Sequence, residues 1–293
     1  LTVGPCADYI SDCLDSLLNQ SEKNTEIILY ENGADDATRK LVREYLYKDM
    51  RICLRLGEWQ PVSEKYNDAL LTAKGKYIAF LNAYDYVQDA DWLKHSVDIF
   101  DGDNTVDLIG YKEGENGKLH VENCQVADFR QFMFRIDKIR ENKIKFEDYA
   151  LLTGSVFFTK YCLASKYAYF IHKFMMRGDP LKRASIYADE AKLVLRAFVW
   201  LLQTARDYEL TELAGRITGL LNSENYIRLI TDSTYGFYID KSSVNNPKED
   251  FHTEVLSLLA KANELADLHG EDKAILRTFA MFIAKRHSFL EKI

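Results

Sequence analysis

No pair of cysteines in this chain has Cys-x-x-Cys spacing. The five present (Cys6, Cys13, Cys53, Cys124 and Cys162) are scattered and odd in number. That pattern indicates neither a zinc site nor a disulfide framework and fits a reducing, cytoplasmic setting. No apolar run reaches the roughly 18 residues of a bilayer-spanning helix, and no signal peptide is recognisable. Basic excess is also missing. Lys and Arg number 38 against 45 Asp and Glu, for a net charge of −7 over 293 residues, the reverse of a nucleic-acid footprint. Proline is scarce, with four in all, and none falls in four helix-periodic segments of the carboxyl-terminal third. The chain starts at Leu1 without methionine, and a trimmed piece of a longer polypeptide is expected.

What is present is an apolar content of 47%, ordinary for a globular protein, arranged as alternating strands and helices. Tyr77–Leu81 is an apolar run of strand length, introduced by Gly75 and ended by Asn82-Ala-Tyr-Asp85. Such a run predicts a strand buried on both faces, delivering polar groups where open α/β sheets bind ligands. Before it, Asp8–Gln20 has helical periodicity, Glu26–Tyr30 reads as a strand, Ala37–Lys48 as a helix and Arg51–Leu54 as a short strand. Pro61–Leu70 is a further helix, Asp91–Phe100 another, and Val106–Tyr111 a strand. Residues 112–126 read as a hairpin, Gln131–Arg135 as a strand, Ile136–Asn142 as a helix and Tyr167–Ile171 as a strand.

Four ordered segments, 9–20, 26–36, 61–85 and 144–152, resemble the family 2 glycosyltransferases of the GT-A fold. Tyr9–Gln20 follows that family's first helix. Glu31-Asn-Gly-Ala-Asp-Asp36 stands where the family has Val-Asp-Asp-Gly-Ser-x-Asp, whose acids read the nucleotide base; Glu31, Asn32 and Asp36 are the corresponding donor contacts. Pro61–Leu70 matches Gly-Val-Ser-x-Ala-Arg-Asn-x-Gly, keeping Asn67 but placing Tyr66 at the arginine that approaches the diphosphate. Asn82-Ala-Tyr-Asp85 replaces the Asp-x-Asp that holds ribose and metal, so Asn82, Tyr84 and Asp85 are candidate donor contacts. Ile144-Lys-Phe-Glu-Asp-Tyr-Ala-Leu-Leu152 resembles the helix opened by Glu-Asp, which makes Asp148 the candidate general base with Glu147 its neighbour. Two literal Asp-x-Asp tripeptides, Asp89–Asp91 and Asp101–Asp103, are decoys by position, at a helix start and in a turn.

The resemblance implies an α/β GT-A domain, Rossmann-like with a mostly parallel sheet and flanking helices, over 1–185. A helical subdomain is expected over 186–293, built on Ala188–Asp207, Leu210–Ile230, Phe251–Leu268 and Asp272–Leu290. It implies transfer, with inversion, of a sugar from a nucleotide-sugar, UDP-linked by expectation, to a glycan or lipid-linked acceptor in polysaccharide biosynthesis. It also implies Mg²⁺ or Mn²⁺ on the diphosphate, with Asp85 and His172 as candidate ligands and Arg177 beside the leaving group. Two alternatives stay open. One is a metal-independent enzyme using Lys173, Arg177 or Arg183. The other is a module without activity that binds glycan or protein beside a partner transferase domain. Tyr226, Tyr235, Phe237 and Tyr238, with the basic stretch Lys285, Arg286, His287 and Lys292, suggest an acceptor surface or peripheral contact with the inner face of the membrane.

Overall fold

The computed structural model describes residues 1–56, 61–111, 116–121, 129–149, 152–171, 176–177 and 188–221, and helical residues 257, 258, 260–262, 264 and 265. It divides into two compact units, Leu1–Asp148 with Phe157–Arg183, and Tyr149–Val156 with Ala184–Ile293.

The first unit opens with strand β1 (Thr2–Val3), helix α1 (Ala7–Leu18), β2 (Ile27–Glu31), α2 (Asp36–Lys48) and β3 (Ile52–Arg55). Ile10, Cys13, Leu14 and Leu17 recur at helical spacing and form the buried stripe of α1. Asp35 caps α2, its carboxylate accepting from the Thr38 N–H at 2.8 Å. The three strands are parallel in the order β1-β2-β3. Helix α3 (Val62–Thr72) precedes β4 (Tyr77–Ala79), β5 (Tyr86–Val87), α4 (Trp92–Gly102), the fully buried β6 (Val106–Tyr111) and β7 (Gly117–His120). After a turn at Phe129–Gln131 come β8 (Phe132–Arg135), α5 (Ile136–Glu141), α6 (Thr153–Leu163), β9 (Tyr167–Ile171) and β10 (Met176–Arg177).

The second sheet runs β4-β8-β6-β9-β7. It is mixed: β8 lies antiparallel between β4 and β6, β9 is parallel to β6, and β7 is antiparallel to β9. A parallel bridge from Thr2 to Asn82 connects the two sheets, so the carboxyl ends of β2 and β4 open on the same edge. Two cores flank this framework. One is aliphatic, around α1, β2 and Trp92. The other is aromatic, with Phe80, Phe134, Phe146 and Phe157 at its centre and a stacked Phe146–Phe157 pair at 3.8 Å.

Two expectations are corrected. Residues 117–120 do not fold as part of a hairpin over 112–126, because β7 pairs with β9, some fifty residues on; residues 112–115 and 122–128 lie outside the described residues. Residues 144–149 are not the start of a helix either. Lys143 takes a left-handed φ of 51°, and the Ile144 N–H returns to the Ile139 carbonyl at 2.9 Å. That is the closing motif of α5. The next main-chain groups, at Phe146, are bound by a side chain of α3, and helix begins only at Thr153.

In the second unit α7 (Ala188–Asp207) and α8 (Thr211–Leu221) follow one another. Phe198, Leu201, Leu202 and Ala205 of α7 are buried, as is Ile217 of α8. Glu209, left-handed at φ 55°, turns the chain between them, with the Leu210 N–H on the Ala205 carbonyl at 2.7 Å. The helix expected over 272–290 and the aromatic and basic residues at 226–238 and 285–292 lie outside the described residues.

Candidate active site

Three consecutive residues of α3 assemble the site. Lys65 is 3% exposed; its ammonium donates to the Glu31 carbonyl and, at 2.8 Å, to Asn32 Oδ1. An ammonium only donates, so it fixes the amide of Asn32 with its oxygen toward Lys65. Burial lowers the Lys65 pKa, and the Glu31 carboxylate offsets that in part. Tyr66, buried, packs its ring on Phe80, Phe129 and Phe146. It therefore joins the strand leading to Asn82, the turn carrying Arg130 and the segment carrying Glu147 and Asp148. Asn67, expected among the donor contacts, turns its amide to main chain instead. Its Nδ2 donates to the Phe146 carbonyl and its Oδ1 accepts from the Phe146 N–H, both at 2.8 Å.

At the end of β2, Glu31 is clamped by Arg39, whose Nη2 and Nε lie 2.7 and 2.8 Å from Oε1. Asp36 is fully exposed at the first turn of α2, with Arg39 Nη1 at 3.4 Å. Gly33 between them has φ +72°, the left-handed turn a glycine permits.

After β4, Asp85 folds its own turn. Its Oδ2 accepts from the Asn82 N–H at 2.8 Å, and its N–H donates to the Asn82 carbonyl at 3.0 Å. Arg130 Nη1 lies 3.4 Å from the same Oδ2. Cys13 sits beneath, its thiol 3.7 Å from the Asn82 carbonyl, and burial pushes that thiol up to about 12. Tyr84 meets Tyr9 edge-on at 6.2 Å. The main chain of Arg177 pairs with Tyr86, which brings β10 beside this turn. His172, Lys173 and Arg183 lie outside the described residues.

Glu147 is bound by Lys160 Nζ at 2.7 Å, whereas Asp148 is exposed. Both decoy tripeptides are structural as expected: Asp89 Oδ1 accepts from the Asp91 N–H at 2.9 Å, and Asp103 holds Lys118 at 2.6 Å.

The described residues at this turn do not suit a divalent cation. Among the described residues no group of three or more His, Cys, Asp or Glu could hold one. At the Asp-x-Asp position only Asp85 is acidic, and its Oδ2 already serves a turn and a guanidinium. Mg²⁺ on substrate phosphates still takes one or two protein carboxylates as ligands.

Lys65 and Arg130 escaped the sequence reading. Lys65 replaces the alanine of the family helix pattern, and a lone lysine in an amphipathic helix reads as solvated. Arg130 precedes a strand with nothing local to mark it.

Parallel strands β1, β2 and β3 with α1 and α2 between them, and turns carrying Asn32 after β2 and Asp85 after β4, make the α/β architecture of the GT-A fold. Residues 5–160 match the model described as glycosyl transferase family 2, and the chain belongs to that family of glycosyltransferases. The chain is 29% identical over 116 residues to the uncharacterized glycosyltransferase EpsJ of Bacillus subtilis, covering 39% of this chain and 33% of EpsJ. It is 38% identical over 82 residues to the Escherichia coli UDP-Glc:alpha-D-GlcNAc-diphosphoundecaprenol beta-1,3-glucosyltransferase WfaP, covering 28% of this chain and 32% of WfaP. The chain thus spans about a third of these curated relatives' length. Staphylococcus aureus TarS, solved with UDP-GlcNAc, shares the fold at a TM-score of 0.62 and 14% identity, over 90% of this chain and 80% of that one. The mannosyltransferase PcManGT of Pyrobaculum calidifontis, solved with GDP-Man and Mn²⁺, superposes at a TM-score of 0.56 and 15% identity, covering 100% of this chain and 86% of its own. Among the described residues no helix is long and apolar enough to cross a membrane.

Proposed function

We propose that residues 1–185 transfer a sugar from a nucleotide-sugar, UDP-linked, to the hydroxyl of a glycan or lipid-linked acceptor, with inversion, on the cytoplasmic side. Residues 186–293 would form the separate helical subdomain. The observation that carries this reading is the α3 triplet. Lys65 fixes the base-reading turn, Tyr66 packs behind the diphosphate turn, and Asn67 fastens the segment of the candidate base. A helix whose three adjacent residues serve the end of β2, the strand leading to Asn82 and the segment after α5 is organising a site as well as filling a core.

In this mechanism Asp148 takes the proton of the acceptor hydroxyl as its oxygen attacks C1 of the sugar. The C1–O bond to the diphosphate breaks on the opposite face, and UDP leaves with the electron pair. Exposure leaves Asp148 accessible to an acceptor, while the Lys160 ion pair engages Glu147, so the base role falls to Asp148. Glu31 and the amide nitrogen of Asn32 supply an acceptor and a donor for the nucleotide base. The relatives' names, which include UDP-Glc and diphosphoundecaprenol for WfaP, support this donor and acceptor class.

The test is sugar transfer to undecaprenyl-diphosphate-linked acceptors from a panel of UDP-sugars, comparing wild type with Asp148→Asn. We expect kcat to fall by about 10²–10⁴, the usual contribution of a general base, with UDP affinity retained. Transfer undiminished in Asp148→Asn removes the base assignment.

A further inference from the structure

We propose that Arg130 supplies the positive charge the donor diphosphate needs, so that nucleotide binding by this chain requires no divalent cation. The inference rests on the transfer reading above, which places the diphosphate at the Asn82–Asp85 turn.

Two aspartates at this turn would present two negative charges, enough to attract and hold a hard cation. Here Asn82 and the phenol of Tyr84 are neutral. The remaining acid, Asp85, has a side chain only 6% exposed and directs Oδ2 to the Asn82 N–H at 2.8 Å and to Arg130 Nη1 at 3.4 Å. The guanidinium offsets the pull of that single acid on a cation. A cation entering here would meet the like charge of Arg130 and compete for the carboxylate that closes the turn. The pair is hostile to a metal.

For a diphosphate it is favourable. A guanidinium carries five donors in a planar fork, so one edge can rest on a carboxylate while another takes phosphate oxygens. Asp85 orients Arg130, and neighbouring Phe129 anchors the backbone in the aromatic core through Phe80, Phe146 and Phe157. The Arg130 side chain remains 26% exposed, within reach of a solvent-borne ligand. It is a preorganised cation, aimed where negative charge grows on the leaving group. The arginine missing at Tyr66 is thereby replaced in charge from a different element.

The experiment is calorimetric titration of UDP, GDP and CDP into the full chain, once with EDTA and once with Mn²⁺. We expect the preferred nucleotide to bind with the same affinity in both. Arg130→Met should weaken it at least tenfold while leaving uridine (or the matching nucleoside) unaffected, and Arg130→Lys should recover part of the loss. The EDTA comparison on wild type stands even where Arg130→Met folds poorly. Binding that needs Mn²⁺ overturns the inference and leaves the transfer reading intact, as does an Arg130→Met protein that binds like wild type. No binding of any of the three nucleotides, with or without metal, overturns both.

Discussion

Asn67 shows how one short side chain can fix a segment far away in the sequence. Its amide gives Phe146 both partners that a neighbouring strand would otherwise provide, across 79 residues of sequence. Asn67→Ala leaves a half-buried N–H and carbonyl to find new partners, at about 1–3 kcal/mol. We expect a lower midpoint in urea and, because Asp148 lies two residues beyond Phe146, a fall in kcat. Asn67→Asp keeps the acceptor for the N–H but loses the donor, and should fall between the two in both readouts. The motif made Asn67 visible in the sequence but not its bond to Phe146, because spacing says nothing of which neighbour an amide faces. Lys65 was invisible for a related reason. Its burial comes from the end of β2 folding over it, a contact 34 residues away.

Strands and helices were legible where their periodicity was strong. The limits expected for α1, α2, α3, α4, β3 and β6 agree with those observed to within two residues, because each buries a face whose spacing is written in the chain. The segment at 144–149 was not legible, since a side chain from another helix takes the hydrogen bonds that a helix would need. Nor was the partner of β7, which only the sheet decides. Gly110 in β6 is a third case of context. A Cβ there would meet Phe132 Cε1 at 2.6 Å and Phe170 Cε1 at 2.7 Å, rings on the strands to either side. Gly110→Ala is therefore expected to destabilise by about 1–3 kcal/mol, as overpacking of a filled core does. A urea midpoint with unchanged m-value would measure it, and an unshifted midpoint would show that both rings swing aside freely.

The molecule as a whole should be sensitive to alkali. Tyr30 and Tyr77 are pushed up to about 12, chiefly by burial and then by hydrogen bonds to Asp68 and Asp101. Burial pushes Tyr111 and Tyr161 further still. In the unfolded chain a tyrosine loses its proton near pH ~10. Above that, the unfolded state holds fewer protons than the native state, and stability present below pH ~10 is lost as pH rises through the folded values. Buried Lys65, with its pKa lowered, acts in the opposite sense, but it is outweighed by these phenols and by the raised Cys13 thiol. Denaturant midpoints taken from about pH 9 to about pH 11 should fall, and phenolate absorbance should appear late and together with unfolding. Phenols that titrate early while the fold persists would contradict this.

The sheet order also sets a timetable for synthesis. Strands β4 and β6 leave the ribosome in turn, yet they are not neighbours: β8, at residues 132–135, lies between them. A nascent chain that has reached Tyr111 therefore carries two apolar strands with open edges, the condition that invites pairing with other chains. Only when Phe132–Arg135 emerges is the gap closed, and the same event brings in Arg130. The charge proposed for the diphosphate thus arrives with the strand that closes this gap, while the far edge of β6 waits for β9 at Tyr167–Ile171.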